Sequence, residues 1–305
     1  MSKPATKDGY DARVTENCER VLVTLLSRLG PWKDSIYLIG GLAPRYLVPD
    51  RPPAVPAHAG TGDVDIVVEL QMLANTDAYR TLEDNIKELG FERAENEKGE
   101  KQSWRWRTET GTGIPAILEL LADDPETSGG KVQPLPVEGN VSALNIPHAS
   151  MVFDHHHTQE IRAELIGEDG VAIETLRYAD LVAFTCLKAF AFEHRRARKD
   201  SHDLVYCIEH GPGGIEAAVI EFRSALDGKH AAAIKKALAI LERRFTDDAR
   251  TEGYLKDGPV AVAKFELGED DDDEVREART LRQRYVSELI GKLMGASGPG
   301  RTELS

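Results

Sequence analysis

The sequence predicts an α+β fold, with a mixed sheet and flanking helices in residues 1–172 and a helical domain in 173–305. Three observations predict it. Short apolar runs of strand length alternate with helical spacing in the first half. From Leu176 onward helical spacing dominates. Glycine and proline clusters punctuate the boundaries between these runs.

The elements follow in order. Asp11 to Leu29 places Val14, Cys18, Val21, Leu22, Leu25 and Leu29 at helical spacing, and Gly30-Pro31 ends it. Ser35 to Ile39 is a short apolar strand closed by Gly40-Gly41, followed by a helical turn or two over Leu42 to Val48. Pro49 to Gly62 holds four prolines and two glycines and reads as a loop. Asp63 to Leu70 is a strand and Thr76 to Leu89 a helix stopped by Gly90. Ser103 to Thr108 and Ile114 to Leu121 are strands, and Glu160 to Leu165 with Gly170 to Glu174 form a hairpin or edge strands. Helices are expected over Leu176–Glu193, Asp200–His210, Ile215–Leu226, His230–Phe245 and Glu274–Met294. The acidic run Glu269–Glu274 is a solvated linker, and the last eleven residues are a flexible tail.

Composition narrows the function classes. The 38 Lys+Arg and 52 Asp+Glu of this 305-residue chain give a net charge of −14, which argues against a non-specific nucleic-acid coat. A local basic groove stays open, because charges beyond roughly 8–10 Å are screened at cellular salt. No apolar run approaches the ~20 residues that cross a bilayer, so no membrane partner is expected. The three cysteines, Cys18, Cys186 and Cys207, lack CxxC spacing and suit a reducing cytoplasm.

The most informative stretch is Gly40-Gly41 followed by Thr61-Gly62-Asp63-Val64-Asp65-Ile66. Residues two apart on a strand share a face, so Asp63 and Asp65 point the same way while Val64, Ile66 and Val68 turn inward. Adjacent carboxylates repel without a counter-cation, and an oxygen-rich cup suits Mg²⁺. Glu119 interrupts the apolar strand Ile117, Leu118, Leu120, Leu121. If that strand lies beside the first, three carboxylates converge, as two-metal phosphoryl transfer requires. Bare glycines at 40 and 41 let backbone N–H groups approach a triphosphate. Each signal alone has a plain alternative: DxD arises by chance in an acidic chain, and Gly-Gly also makes an ordinary turn.

The order of these motifs resembles the nucleotidyltransferases of the DNA polymerase β superfamily, whose pattern is hydrophobic-G-[GS], D-h-[DE]-h and a later third acid. Here 21 residues separate Gly41 from Asp63, against about a dozen in the family, and the proline-rich loop supplies the excess. In the second half, Lys188 lies on an apolar helix stripe with Leu181, Phe184 and Phe192. It either pairs internally or holds a nucleotide phosphate. Asp200 reads as an N-cap with Asp203 at N3 of the next helix.

The order K-(x)n-R-x-x-x-K-D-x-x-D-L after a DxD domain is similar to AbiEii-type and MenT-type toxin nucleotidyltransferases. The resemblance spans Ile36 to Leu204. It implies a Mg²⁺-dependent enzyme, with two ions and Mn²⁺ as a substitute, that transfers NMP from an NTP. Asp63, Asp65 and Glu119 would be metal ligands and, with Lys188, the catalytic set. Gly40, Gly41, Thr61, Lys188, Arg195, Lys199 and Asp203 would bind nucleotide or support its site. The implied acceptor is RNA, as in toxins that modify the tRNA 3′ end and are silenced by an antitoxin protein. Two other readings remain: a small-molecule enzyme of the aminoglycoside-modifying kind, to which −14 would draw cationic substrates, and a silent nucleotide-binding relative.

Other signals are read structurally. His155-His156-His157 lacks zinc-like partners and reads as a solvated strand. Trp104-Arg105-Trp106-Arg107 reads as a strand with tryptophan inward and arginine outward rather than a base-stacking platform.

Overall fold

The computed structural model describes residues 4–75, 81–109, 115–167 and 170–297. The chain divides into two compact units. One comprises Asp11–Tyr46 and Gly60–Ala183; the other comprises Met1–Tyr10, Leu47–Ala59 and Phe184–Ser305.

The first unit is built on a mixed sheet. Its opening helix α1 (Ala12–Arg28) starts where the Asp11 carboxylate accepts from the Arg13 N–H at 2.9 Å, an N-cap that satisfies an orphan donor. Cys18, Val21, Leu22 and Leu25 form its fully buried stripe, as the spacing required. The strands are β1 (Ile36–Ile39), β2 (Asp63–Val68), β3 (Glu92–Glu95), β4 (Lys101–Glu109), β5 (Pro115–Ala122), β6 (Val132–Pro134), β7 (Ser142–Asn145), β8 (His156–Glu164) and β9 (Val171–Ala179). Among the described residues the sheet order is β3-β4-β5-β2-β1-β9-β8, with β7 beside β5 and β6 beside β7. Short helices α2 (Pro44–Leu47), α3 (Leu70–Ala74) and α4 (Leu82–Glu88) fill the connections. The expected helix over Thr76–Leu89 is represented by α4, and residues 76–80 of it lie outside the described residues. So does Ile114, the first residue of an expected strand.

Register fixes the chemistry of this sheet. β2 runs parallel to β5 with Asp65 opposite Glu119, and β4 runs antiparallel to β5 with Arg105 opposite Glu119. Directly opposed residues share a face. Asp65, Glu119 and Arg105 therefore form one row across three adjacent strands.

The second unit is helical. Its helices are α5 (Leu181–Arg195), α6 (Arg198–His210), α7 (Gly214–Ala225), α8 (Ala231–Phe245), α9 (Asp257–Leu267) and α10 (Asp273–Ser297). The division between units falls inside α5. Phe192, Phe222, Phe245 and Phe265 are fully buried and anchor the packing of α6 on α9 and of α7, α8 and α9 on α10.

Several expectations are corrected. The boundary expected at 172/173 falls at 183/184, because Val171–Ala179 completes a strand that pairs with β1 and β8. The helix expected from Leu176 accordingly starts at Leu181. The loop expected at Pro49–Gly62 is a loop, but its residues up to Ala59 belong with the helical unit. The expected tail over the last eleven residues starts three residues too early, because α10 continues through Ser297, and residues 298–305 lie outside the described residues.

Candidate active site

In the sheet unit, the approach to β2 is pinned from α1. The Thr61 N–H donates to the Thr15 hydroxyl at 2.9 Å, and the Asp63 N–H donates to the Thr61 hydroxyl at 3.2 Å. Thr61 thus sets the angle at which Asp63 enters the strand. Gly60 has φ +86°, and a Cβ there would lie 2.1 Å from the Thr15 hydroxyl. Val64 and Ile66 face the core, leaving Asp63 and Asp65 on the opposite face.

Gly40 has φ +72°, and a Cβ on it would lie 1.8 Å from the Asp65 Oδ2. Its bare Cα is what lets the Asp65 carboxylate fold against the turn after β1. Gly41 is buried in that same turn. Glu119 is pushed up to about 8, first by burial, then by the charges of Asp65 and Asp63, with Arg105 opposing. A hydrogen bond with Asp65 goes with the shift, as expected when one of two neighbouring carboxyls keeps its proton.

Arg105 is one of two residues here, with His58, that sequence reasoning missed. Its partners in the W-R-W-R run behave as expected: Trp106 is fully buried, and Arg107 turns outward to Glu92 at 2.6 Å. Arg105, however, sits on the carboxylate face, with Nε 2.9 Å from Glu119 Oε1 and Nη2 3.9 Å from Asp63 Oδ1. The alternation that put it opposite the tryptophans was the available signal; the acids it meets lie on other strands. Cys18 lies behind the acids and its thiol is pushed up by burial and by Asp63 and Asp65, so it stays protonated.

The helical unit carries a second cluster. Lys188 Nζ donates to Asp203 Oδ2 at 2.6 Å and to Asp200 Oδ1 at 3.2 Å. Lys199 Nζ bridges both Asp203 oxygens at 2.8 Å, and Arg195 Nη2 meets Asp200 Oδ1 at 2.7 Å. His58 Nε2 lies 2.9 Å from Asp203 Oδ1. Asp203 is fully buried, yet held well below the usual carboxylate range: burial pushes up, and Lys188, Lys199 and His58 outweigh it. Lys188 is buried too, but Asp203 and Asp200 raise it against that burial, so its charge is fixed. Burial lowers His58 to about 4, leaving it neutral near pH 7.

Two expectations change here. Asp200 is not an N-cap: α6 starts at Arg198 after Ala197, and Asp200 turns inward to its ion pairs. The basic patch is internally matched, with Arg195 on Asp200, Lys199 on Asp203 and Arg198 on Glu269 at 2.9 Å. The structure thus joins Lys188, Arg195, Lys199 and Asp203 in one cluster and Gly40, Asp65, Glu119 and Asp63 in another, each within its own unit. His155 pairs with Asp180 at 3.1 Å, and Asp180 Oδ1 caps α5 through the Ala183 N–H at 2.8 Å.

Compared with protein-family models, curated proteins and solved structures, the chain matches none. The site therefore stands on its own geometry.

Among the described residues, one ring nitrogen each of His58 and His202 and an Asp203 oxygen lie within 4.8 Å of one another, a spacing that a transition metal could use. Asp203 already carries two ammonium groups, whose repulsion opposes a divalent ion there. His202 Nδ1 is engaged by Glu266 at 2.9 Å, which Arg282 holds at 2.6 Å. In the sheet unit the donors are oxygen only, although among the described residues Asp63, Asp65 and Glu119 do not each bring an oxygen within 4.8 Å of the others. Oxygen donors are the class that a hard divalent ion such as Mg²⁺ takes.

Proposed function

We propose that this protein is a Mg²⁺-dependent nucleotidyltransferase that moves NMP from an NTP to a hydroxyl acceptor with release of pyrophosphate. One observation carries the reading: Asp63, Asp65 and Glu119 share one sheet face beside a left-handed Gly40, with Arg105 against Glu119. Asp63 and Asp65 would hold the metal, which when bound neutralises phosphate oxygens and lowers the pKa of an attacking hydroxyl.

The chain's own residues do the positioning. Thr61 fixes the entry of Asp63, Gly40 makes room for Asp65, and Arg105 holds Glu119. In the helical unit, Lys188 and Lys199 pair with the buried Asp203, and Lys188 and Arg195 with Asp200; a contact of Lys188 with a nucleotide phosphate rests on the motif resemblance. Asp203 would orient Lys188 for that contact. The RNA acceptor, the tRNA 3′ end and the silencing antitoxin rest on the motif resemblance alone. A cationic small-molecule acceptor is the second reading, favoured by the net charge of −14.

The test is transfer of label from α-³²P NTPs to total tRNA or to an aminoglycoside. Wild-type protein is expected to label one of them. Asp63→Asn is expected to lose at least 10²-fold in rate with an unchanged melting temperature. Equal transfer by wild type and variant would reject the metal assignment.

A further inference from the structure

We propose that Arg105 serves as the second cation of the carboxylate site, so that the site loads one divalent ion rather than the two its acidic pattern suggests. The inference rests on the nucleotidyltransferase reading and deepens it. It starts from placement. Arg105, Glu119 and Asp65 occupy one row across β4, β5 and β2, and neighbouring strands are only about 4.8 Å apart. The guanidinium reaches from that row to the strand's first acid. Its Nε lies 2.9 Å from Glu119 and its Nη2 3.9 Å from Asp63.

A second metal shared by Glu119 and Asp63 would sit against the two carboxylates that Arg105 already faces. The three acids do not gather as a second ion would need: among the described residues, the only trio of donors within 4.8 Å is the His58 cluster of the helical unit. Arg105 lies against both Glu119 and Asp63, and Asp65 faces Glu119 from the neighbouring strand. Placing a divalent ion beside a guanidinium sets like charges together in a part-buried site, where screening is weak. An arginine also suits the task chemically. It is always charged and presents a planar fork that can meet two carboxylates at once. A lysine or a metal would give a point charge without that fixed geometry.

The remaining acids, Asp63 and Asp65, then serve a single ion on the face left open. Arg105 contributes charge beside Glu119 as an ion pair; it makes no contact with the ion itself. Lying 31% exposed at its side chain, it can stay paired while one side of the cup meets solvent.

Native mass spectrometry of the full chain, with Mn²⁺ and α,β-methylene ATP or CTP, counts the ions directly. One Mn²⁺ per nucleotide-bound chain is expected for wild type, and two for Arg105→Ala. Arg105→Lys, which keeps the charge, is expected to hold one. Two ions on the wild-type chain would overturn the arginine's role while leaving the nucleotidyltransferase reading intact. No Mn²⁺ on a nucleotide-bound chain would overturn both. The wild-type count decides the matter even if Arg105→Ala fails to fold.

Discussion

The two charge clusters differ in make-up. Among the described residues, Asp63, Asp65 and Glu119 share a sheet face with Arg105, whereas in the helical unit the buried Asp200 and Asp203 pair with Lys188, Lys199 and the exposed Arg195. The first responds by protonating Glu119, the second by locking Lys188 in its charged form. Buried charge without a partner is expensive, and the two clusters meet that cost differently. The difference also separates roles. The helical cluster is already a closed network that holds α5 against α6, whereas the sheet cluster is crowded and gains from losing a charge.

Removing a charge from each cluster should therefore give opposite results. Lys188→Met leaves Asp200 and Asp203 buried without their shared partner and is expected to cost about 3–5 kcal/mol. Asp63→Asn relieves repulsion and is expected to be neutral or slightly stabilising. Urea denaturation followed by circular dichroism checks both; a Lys188→Met protein as stable as wild type would erase the contrast.

A smaller effect lies in the backbone. Both clusters adjoin a left-handed residue, Gly40 (φ +72°) in the sheet unit and Arg196 (φ +50°) between α5 and α6. Gly40→Ala meets both the left-handed penalty and the Asp65 carboxylate and is expected to destabilise by about 2 kcal/mol or more. Arg196→Gly releases the penalty and is expected to gain up to about 1 kcal/mol. The same denaturation curves read both.

The smallest effect is a slope. Burial raises Glu119 to about 8 and lowers His58 to about 4. Folded Glu119 keeps a proton that the unfolded chain releases, so its contribution falls as pH rises from about 4.5 through 8. Folded His58 lacks a proton that the unfolded chain takes up below about 6.5, so its contribution is lost as pH falls from there toward 4. In metal-free buffer, Glu119→Gln should flatten the decline above pH 6, and His58→Gln the loss below it. Melting temperatures across pH 4–9 measure both.

Much of the fold was legible in the residues. Short apolar runs of strand length revealed β1, β2 and β5, alternating tryptophan and arginine revealed β4, and helical spacing revealed α1 and α6–α8 within a few residues. The misses have physical reasons. β3 (ERAE) buries only Ala94, and β6 spans three residues, so neither carries a pattern. α9 opens Asp257-Gly-Pro, a sequence that reads as a turn, although proline fits the first turn of a helix. β9 ends in Leu176-Arg177-Tyr178-Ala179, which merges with the helical spacing of α5. The shared face of Asp63 and Asp65 was legible because strand geometry is local. Arg105 and His58 were not, because they meet acids far away in sequence.

Residues 47–59 lie between a sheet-unit helix and β2, yet pack with the helical unit through His58 and the Tyr206 hydroxyl, which donates to the Pro56 carbonyl at 2.8 Å. The chain consequently passes from one unit to the other four times. No single cut in the gene yields either half whole, so the pair is expected to be inherited together, and recombination that swaps one half for a foreign counterpart would need several coordinated junctions.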